Sequence, residues 1–421
     1  MREMKDSGIA WVGKIPAHWT KKKGKYILRY MSKPVKQDDS VITCFRDGEV
    51  TLRSNRREDG FTMADKEIGY QGVDVGDLVV HGMDGFAGAI GISDSRGKAS
   101  PVLNVLNTKQ NKKYIMYYLR SMAYGEVFTA LSTGIRVRSC DLRWNKLAEL
   151  LYPLPPIDEQ NNIVNYIDEQ IARTNEIIAD TQAQIDTLEQ YKRSIITEAV
   201  THGLNPSAPM KDSGVPWVGN IPKHWNCCSL KYNYNTISGA TPNSNDISLW
   251  DGEIVWVTPA DYKTKDVYVC SGARKITYKG YLSCSTTLIK QGNIIFSKRA
   301  PIGSVAINKV ELCTSQGCLS VVSKTGNVNN KYFYYLFSVN DETFNLFGSG
   351  TTFQEISAKD FLNVKFPLPS LDEQQEIADY LDNKCAEIEQ IIADKKSQIE
   401  TLDGYKKALI YECVTGKKEI V

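Results

Sequence analysis

The most regular hydrophobic pattern in the chain is a heptad repeat that occurs twice. From Val164, apolar or small residues recur at alternating steps of three and four, at Ile167, Ile171, Thr174, Ile178, Thr181, Ile185 and Leu188. The second series starts at Ala378 in the same register, with Leu381, Cys385, Ile388, Ile392, Lys395, Ile399 and Leu402. Such spacing is typical of a coiled-coil seam. It predicts two long helices, at 157–200 and 371–415, whose seams pair with each other in antiparallel order.

Helix-start signals precede both heptad series. Each predicted helix follows a Leu-Pro sequence and carries two acidic residues in its first turn, where they favour the positive end of the helix dipole. Ser370 and Glu373 have the spacing of a capping box. Pro156 stands at the position of Ser370 in the first series, so the box is expected only in the second.

A repeated motif opens each half of the chain. Residues 4–19 read MKDSGIAWVGKIPAHW and residues 210–225 read MKDSGVPWVGNIPKHW, with 12 identities in 16 positions. A second pair, YPLPPIDEQ ending at Gln160 and FPLPSLDEQ ending at Gln374, leads into the helices. The order is therefore motif, variable block and helix, twice. We expect the four tryptophans of the opening motifs to pack in the framework; they are Trp11, Trp19, Trp217 and Trp225.

The two variable blocks, 20–152 and 226–366, share a skeleton but little identity. Short β-branched runs broken by glycine predict strands after Gly76 and Gly292 and again after Gly88 and Gly303. Aromatic-rich runs at 114–119 and 332–336 predict a short buried helix in each block, with a strand as the alternative that their aromatic content leaves open. The expected fold class is α+β: two mixed globules separated by two long antiparallel coiled-coil helices, with an internal pseudo-twofold repeat.

Composition is that of an ordinary globular protein and narrows the function little. The 421 residues include 51 Lys and Arg against 49 Asp and Glu, a net charge of +2, so bulk charge does not predict a nucleic-acid partner. The start of the sequence has no apolar signal segment, and no uninterrupted apolar run is long enough to span a bilayer. We therefore expect a cytoplasmic protein with reduced cysteines and no membrane association.

Catalytic and metal-binding motifs are missing from the sequence. The chain has no phosphate-binding loop, no amino-methyltransferase signature, no CxxC pair and no HExxH motif. The acidic residues of the two blocks do not match in position, whereas their apolar framework does. This pattern favours two binding specificities over two active sites.

The repeated motifs resemble those of the specificity subunit of type I restriction-modification systems. The opening sequence KDSGxxWxGxIPxHW and the LPxxxEQ entry into a heptad helix are both typical of that family, and the resemblance covers nearly the whole chain. It implies a non-catalytic protein with target recognition domains at 1–156 and 207–370. The helices at 157–200 and 371–415 would then be spacers between them.

The resemblance also implies the partners. They are double-stranded DNA with a bipartite, asymmetric target, two methyltransferase subunits that bind S-adenosylmethionine and modify adenine N6, and two translocase-nuclease subunits that bind ATP. The chain itself would hold no cofactor and no metal.

Candidate DNA-binding residues follow from the resemblance together with the chemistry of base recognition, in which Arg and Lys pair with guanine and Gln with adenine. We expect the interface among basic or polar residues in loops of the two blocks. They are Arg53, Arg56, Arg57, Arg136, Arg138, Arg143, Arg274, Lys275, Lys298, Arg299, Thr351, Thr352 and Gln354.

Two other interpretations remain open from the sequence. Scattered carboxylates could form the metal site of a self-contained restriction enzyme, and the heptads alone would also suit a coiled-coil interaction scaffold without a DNA role.

Overall fold

The computed structural model describes residues 2–56, 68–130, 142–262, 267–299, 301–349 and 354–420. Its chain divides into two compact units, residues 1–182 with 396–421, and residues 183–395. Both contain helices and strands, in agreement with the predicted mixed class. Among the described helices, none combines the length and the hydropathy that crossing a bilayer requires.

The first unit is built on an antiparallel sheet with the order β4-β11-β8-β9. Helix α1 packs on this sheet through a continuous face of buried aromatic and aliphatic residues. The described elements up to the first long helix are β1 Met4–Asp6, β2 Lys14–Pro16, β3 Thr20–Lys23, β4 Leu28–Tyr30, β5 Ile42–Cys44, β6 Val50–Leu52, β7 Gln71–Val73, β8 Leu78–His81, β9 Ile90–Ile92, β10 Gly97–Ala99, β11 Leu103–Thr108, α1 Lys112–Tyr124, α2 Val127–Ala130, α3 Trp144–Glu149, β12 Leu151–Leu154 and α4 Ile157–His202.

The second unit has a central sheet with the order β16-β23-β20-β21-β18, and a smaller sheet, β19-β17-β22, beside it. Its elements are β13 Met210–Asp212, β14 Asn220–Pro222, β15 Asn226–Ser229, β16 Tyr234–Ser238, β17 Trp250–Val257, β18 Tyr268–Val269, β19 Arg274–Ile276, α5 Tyr278–Ser283, β20 Ile294–Lys298, β21 Ile302–Asn308, β22 Cys313–Thr314, β23 Cys318–Ser323, α6 Asn330–Ser338, α7 Asp341–Leu346, α8 Ala358–Asn363, β24 Lys365–Leu368 and α9 Leu371–Val414.

The short elements predicted from the variable blocks are present. Strands β8 and β20 follow Gly76 and Gly292, whose positive φ angles of 82° and 84° suit glycine because it lacks a Cβ atom. The aromatic runs form α1 and α6, with most of their side chains buried.

The long helices α4 and α9 occupy the segments in which the heptads predict helix. Their seam residues are buried or half-buried along both helices, as a coiled coil requires. In the second unit, Lys192 of α4 pairs with Glu389 of α9, and Gln184 accepts a hydrogen bond from Lys395 at 2.5 Å. The higher residue number in α4 thus pairs with the lower residue number in α9, so the two helices run antiparallel within this unit.

The first unit contains the opposite ends of the same two helices. Ile163 and Ile167 of α4 share a buried apolar cluster with Leu409 and Cys413 of α9. The hydroxyl of Tyr114 on α1 lies 3.1 Å from the carbonyl oxygen of Val414. In the second unit, Tyr332 on α6 makes the corresponding bond to the carbonyl of Val200, at 3.0 Å. Each globular block is thus tied to the last turn of a helix that begins elsewhere in the chain.

The opening motif of the first half is fastened to the start of α4. Trp19 is fully buried and donates its indole N–H to Glu159 at 2.9 Å, and His18 contacts the other carboxylate oxygen at 2.8 Å. Arg2 approaches the same carboxylate at 3.5 Å. The tryptophan therefore has a framework role, as the sequence predicts.

The second half repeats this arrangement at the start of α9. Glu373 accepts hydrogen bonds from Trp225 at 3.1 Å and His224 at 2.7 Å. It also forms the predicted capping box, in which the backbone N–H of Ser370 donates to its carboxylate at 3.2 Å and its own N–H donates to the Ser370 hydroxyl oxygen at 3.3 Å. Burial opposes ionisation, but these hydrogen bonds outweigh it and lower the pKa of Glu373 to about 2. This carboxylate consequently remains charged well into the acidic range.

The glutamine that follows each of these glutamates joins a third element. Gln160 accepts from the backbone N–H of Asn111, the N-cap of α1, at 3.0 Å; Gln374 accepts from Asn329, the N-cap of α6, at 2.8 Å. Each Glu-Gln pair thus holds the opening motif, a long helix and the aromatic helix in one fixed junction. That rigidity positions the loops at the end of each central sheet.

Candidate nucleic-acid interface

In the second unit, two of the loops that carry predicted DNA-binding residues meet at the end of β20. The backbone N–H of Lys298 donates to Gly317 at 3.0 Å, and its carbonyl accepts from Ile356, also at 3.0 Å. Ser349 and Glu355 exchange two backbone hydrogen bonds of 3.0 Å, which close the loop that returns to this strand. The structure therefore brings Lys298 and Arg299 next to the segment that contains Gln354.

Glu355 organises the two basic side chains of this loop pair. Its carboxylate lies 2.7 Å from the ammonium of Lys298 and 3.5 Å from the guanidinium of Arg299. The side chain of Lys298 is 16% exposed and that of Arg299 is 37% exposed, so Arg299 is the more available cation. Gln354, the preceding residue, is exposed.

A shallow cavity of about 330 Å³ opens beside Arg299. It is lined by Trp256 of β17 and by Gln316, an exposed residue in the tight turn between β22 and β23. Trp256 also pairs in register with Arg274 of β19, whose guanidinium lies 3.8 Å from the ring centroid of Trp250. Arg274 and the cavity therefore both lie at the paired strands β17 and β19. Lys275, the next residue of β19, is exposed.

The first unit has the same backbone arrangement at the end of β8. Gly82 donates to the carbonyl of Val102 at 2.7 Å and accepts from the backbone N–H of Leu142 at 2.8 Å. These bonds correspond to those of Lys298, so Gly82 and Lys298 hold equivalent positions. Leu142 directly follows the segment that contains Arg136 and Arg138, and Arg143 is exposed one residue later.

A hairpin made by β5 and β6 lies beside this loop. Arg46 in its turn pairs with Asp84 at 2.9 Å. Arg56 pairs with Asp47 at 2.6 Å and Glu49 at 3.1 Å, and its guanidinium covers the ring of Phe45 at 4.3 Å. The hairpin therefore connects Arg56 to the neighbourhood of the β8 loop.

Arg53 lies in the short turn after β6, is half-buried and donates to the hydroxyl of Thr43 at 3.3 Å. Five of the predicted residues fall outside the described part of the chain: Arg57, Arg136, Arg138, Thr351 and Thr352.

Reasoning from the sequence missed several residues of these loops. Glu355, Gln316, Arg46 and His81 were not predicted, because no pattern showed which segments would meet at the ends of β8 and β20. One usable signal was present: the apolar runs before His81 and before Ser297 end at equivalent positions after Gly76 and Gly292.

Within the ranges given above, no group of three or more His, Cys, Asp or Glu side chains is arranged to hold a metal ion. All nine described cysteines are free thiols. The loops at the ends of β8 and β20 carry donors, acceptors and cations on the edges of the sheets.

Residues 222–401 match the family model described as the type I restriction modification DNA specificity domain. The chain is also 36% identical, over 189 residues, to the type I restriction enzyme MjaIX specificity subunit of Methanocaldococcus jannaschii. That alignment covers 44% of this chain and 43% of the relative. In each of these comparisons the chain is therefore similar to type I specificity subunits over somewhat less than half of its length.

Further relatives that are named specificity subunits align over more of the chain. Identity to the EcoR124I/EcoR124II specificity subunit of Escherichia coli is 25% over 309 residues, which cover 69% of this chain and 68% of that one. The names of these relatives agree with the expectation of a non-catalytic specificity subunit.

Solved structures share the fold of this chain. A chain from a structural study of the assembly and conformational transition of a type I restriction-modification system superposes with a TM-score of 0.70 at 17% identity, covering 96% of this chain and 99% of that one. The HsdS subunit from Thermoanaerobacter tengcongensis gives 0.52, also at 17% identity, covering 96% and 98%.

Proposed function

We propose that this chain is the non-catalytic, sequence-specific DNA-binding subunit of a type I restriction-modification complex. It reads a bipartite, asymmetric target in double-stranded DNA. Two methyltransferase subunits, which bind S-adenosylmethionine, methylate adenine N6 at that target, and two translocase-nuclease subunits, which bind ATP, cleave DNA. The family-model match over residues 222–401 and the names of the relatives support this assignment.

In this proposal the target recognition domains are residues 1–156 and 207–370. The helices at 157–200 and 371–415 form an antiparallel coiled coil that separates them and sets the unread gap between the two half-sites. The antiparallel contacts within each unit and the burial of the heptad positions support this role for the helices.

The observation that carries the proposal is the pair of loop clusters at the ends of β8 and β20. Both rest on the same backbone bonds, but they present different chemistry: a lysine and an arginine at Lys298 and Arg299, and a glycine and a methionine at the equivalent Gly82 and Met83, which His81 directly precedes. Because each base pair offers its own set of donors, acceptors and methyl groups in the major groove, unlike side chains on like scaffolds read unlike sequences. This explains an asymmetric target.

An exchange of variable blocks tests the proposal. Residues 20–152 are replaced by the corresponding block of another family member, and adenine methylation is mapped in cells that also express the cognate methyltransferase. One half of the methylated motif should change while the other half and the gap remain. The matched control replaces residues 226–366, which should change the other half alone. Alteration of both halves by a single exchange would contradict the proposal.

The two alternatives give different outcomes in solution. The purified chain, incubated with magnesium and S-adenosylmethionine, should bind duplex DNA without cutting it. Cleavage without partner subunits would favour a self-contained restriction enzyme. An absence of sequence-specific binding, even with the methyltransferase present, would favour a scaffold without a DNA role.

A further inference from the structure

His81 occupies an unusual position at the end of β8. Its ring nitrogen Nδ1 accepts hydrogen bonds from two backbone N–H groups, those of Met83 at 3.2 Å and Asp84 at 2.9 Å. A ring nitrogen that accepts hydrogen bonds carries no proton, so the proton of the neutral imidazole is on Nε2. The loop thereby fixes both the tautomer and the orientation of the ring.

The environment of His81 keeps the ring neutral. Burial lowers its pKa, and this effect exceeds the opposing influence of Asp84; Arg46 lowers the pKa further. Asp84 does not satisfy the Nε2 proton, because its nearest oxygen is 3.9 Å away and its other oxygen holds Arg46. Among the described residues, Nε2 has no hydrogen-bond acceptor in range, yet the side chain is 20% exposed.

The position in the fold makes this free donor informative. Gly82, the next residue, is equivalent to Lys298 by its backbone bonds, so His81 corresponds to Ser297 and directly precedes the position of the basic pair. Met83 corresponds to Arg299, is 52% exposed and adds an apolar contact surface. The loop of the first unit thus offers one oriented donor and the apolar side chain of Met83 where the second unit offers charge.

We propose that His81 is a specificity-determining residue that donates its Nε2 proton to N7 of a purine in the half-site read by the first unit. This inference rests on the proposed function. Both purines present N7 as an acceptor in the major groove, whereas cytosine presents a donor at N4 and would leave two donors facing each other. One side chain with a preset proton therefore discriminates at a single position.

The test uses duplexes in which each purine of the methylated motif is replaced in turn by its 7-deaza analogue, which lacks the N7 acceptor. The unmodified full chain should lose about fivefold to tenfold in affinity at one position of the first half-site, the value of one good hydrogen bond in such an interface. His81→Asn keeps an oxygen acceptor for the two backbone N–H groups but has no donor at the Nε2 position. It should show the same loss on normal DNA and no additional loss on the 7-deaza duplex.

Two controls separate a reading role from a structural one. His81→Ala removes both functions, and its thermal unfolding reports any damage to the loop. His18→Asn, in the opening motif of the same unit, should leave the 7-deaza profile unchanged. If His81→Asn binds like the unmodified chain while His81→Ala binds poorly, the residue serves only the loop and the inference is wrong. If neither the unmodified chain nor any variant recognises a defined DNA motif, it is the proposed function that is wrong, and not the role of His81 alone.

Discussion

Arg299 and Lys298 allow a quantitative test of the loop cluster at the end of β20. Each phosphate that a protein contacts through Lys or Arg contributes about 0.9 to the slope of log affinity against log salt. Arg299 is the more exposed of the two and lies 3.5 Å from Glu355, whereas Lys298 is mostly buried against the same carboxylate at 2.7 Å. We therefore expect Arg299→Ala to reduce the slope by about 0.9 and Lys298→Ala to reduce it by less.

The assay is binding of the full chain to a duplex that carries its motif, over a salt series from about 50 to 200 mM. The salt concentration rises about fourfold over this series. With a slope lower by about 0.9, the factor by which affinity falls should be about 3.5 times smaller for the Arg299→Ala protein than for the parent. The double substitution, Lys298→Ala with Arg299→Ala, should reduce the slope by at most about 1.8.

Lys290 supplies a matched control for the charge. It is exposed and lies in the turn before β20, at the opposite end of the strand from Lys298. Lys290→Ala should leave the slope unchanged. Equal slopes for the parent and the double variant would remove both residues from the DNA interface, and an equally large effect of Lys290→Ala would show that only net charge matters.

Three further substitutions have expected outcomes. Glu355→Gln removes the carboxylate between the two basic residues and should steepen the salt slope by up to about 0.9 and tighten non-specific binding; weaker binding would contradict this. Tyr332→Phe removes the hydroxyl bonded to the end of α4 and should lower the free energy of unfolding by about 1 kcal/mol in denaturant titrations, where no change would refute the role of that bond. Glu373→Gln should lower the free energy of unfolding by about 1 kcal/mol at pH 7, a value reduced because the side chain is partly exposed. The control Glu376→Gln, at an exposed site of the same helix, should leave the free energy of unfolding unchanged. Since the pKa of Glu373 is lowered in the folded chain, the parent's advantage should be complete above about pH 4.5 and disappear as the pH falls towards about 2; a constant difference would contradict the assignment.

The sequence was most informative where a pattern is local. The heptads predicted α4 and α9, and the spacing of Ser370 and Glu373 predicted a cap that the structure contains. These signals depend on neighbours within a few helical turns, so one segment carries all the information needed.

Contacts between distant segments were beyond such reasoning. The repeated His-Trp and Glu-Gln sequences belong to the framework, but their hydrogen bonds join segments that are distant in the sequence. Trp19 and Glu159, for example, are 140 positions apart. Nothing in the sequence shows that Glu355 would hold Lys298 and Arg299, because the pairing depends on the path of two loops. His81 was missed for a related reason: a single histidine acquires meaning only when its two backbone donors are located.

Base-resolution mapping of N6-methyladenine in host DNA, with the gene present and with the gene deleted, tests whether this chain directs methylation to a bipartite target. We expect one methylated motif that depends on the gene and consists of two different short half-sites separated by a gap of fixed length. An unchanged methylation pattern after deletion, or a lost motif that is a single uninterrupted palindrome, would contradict it.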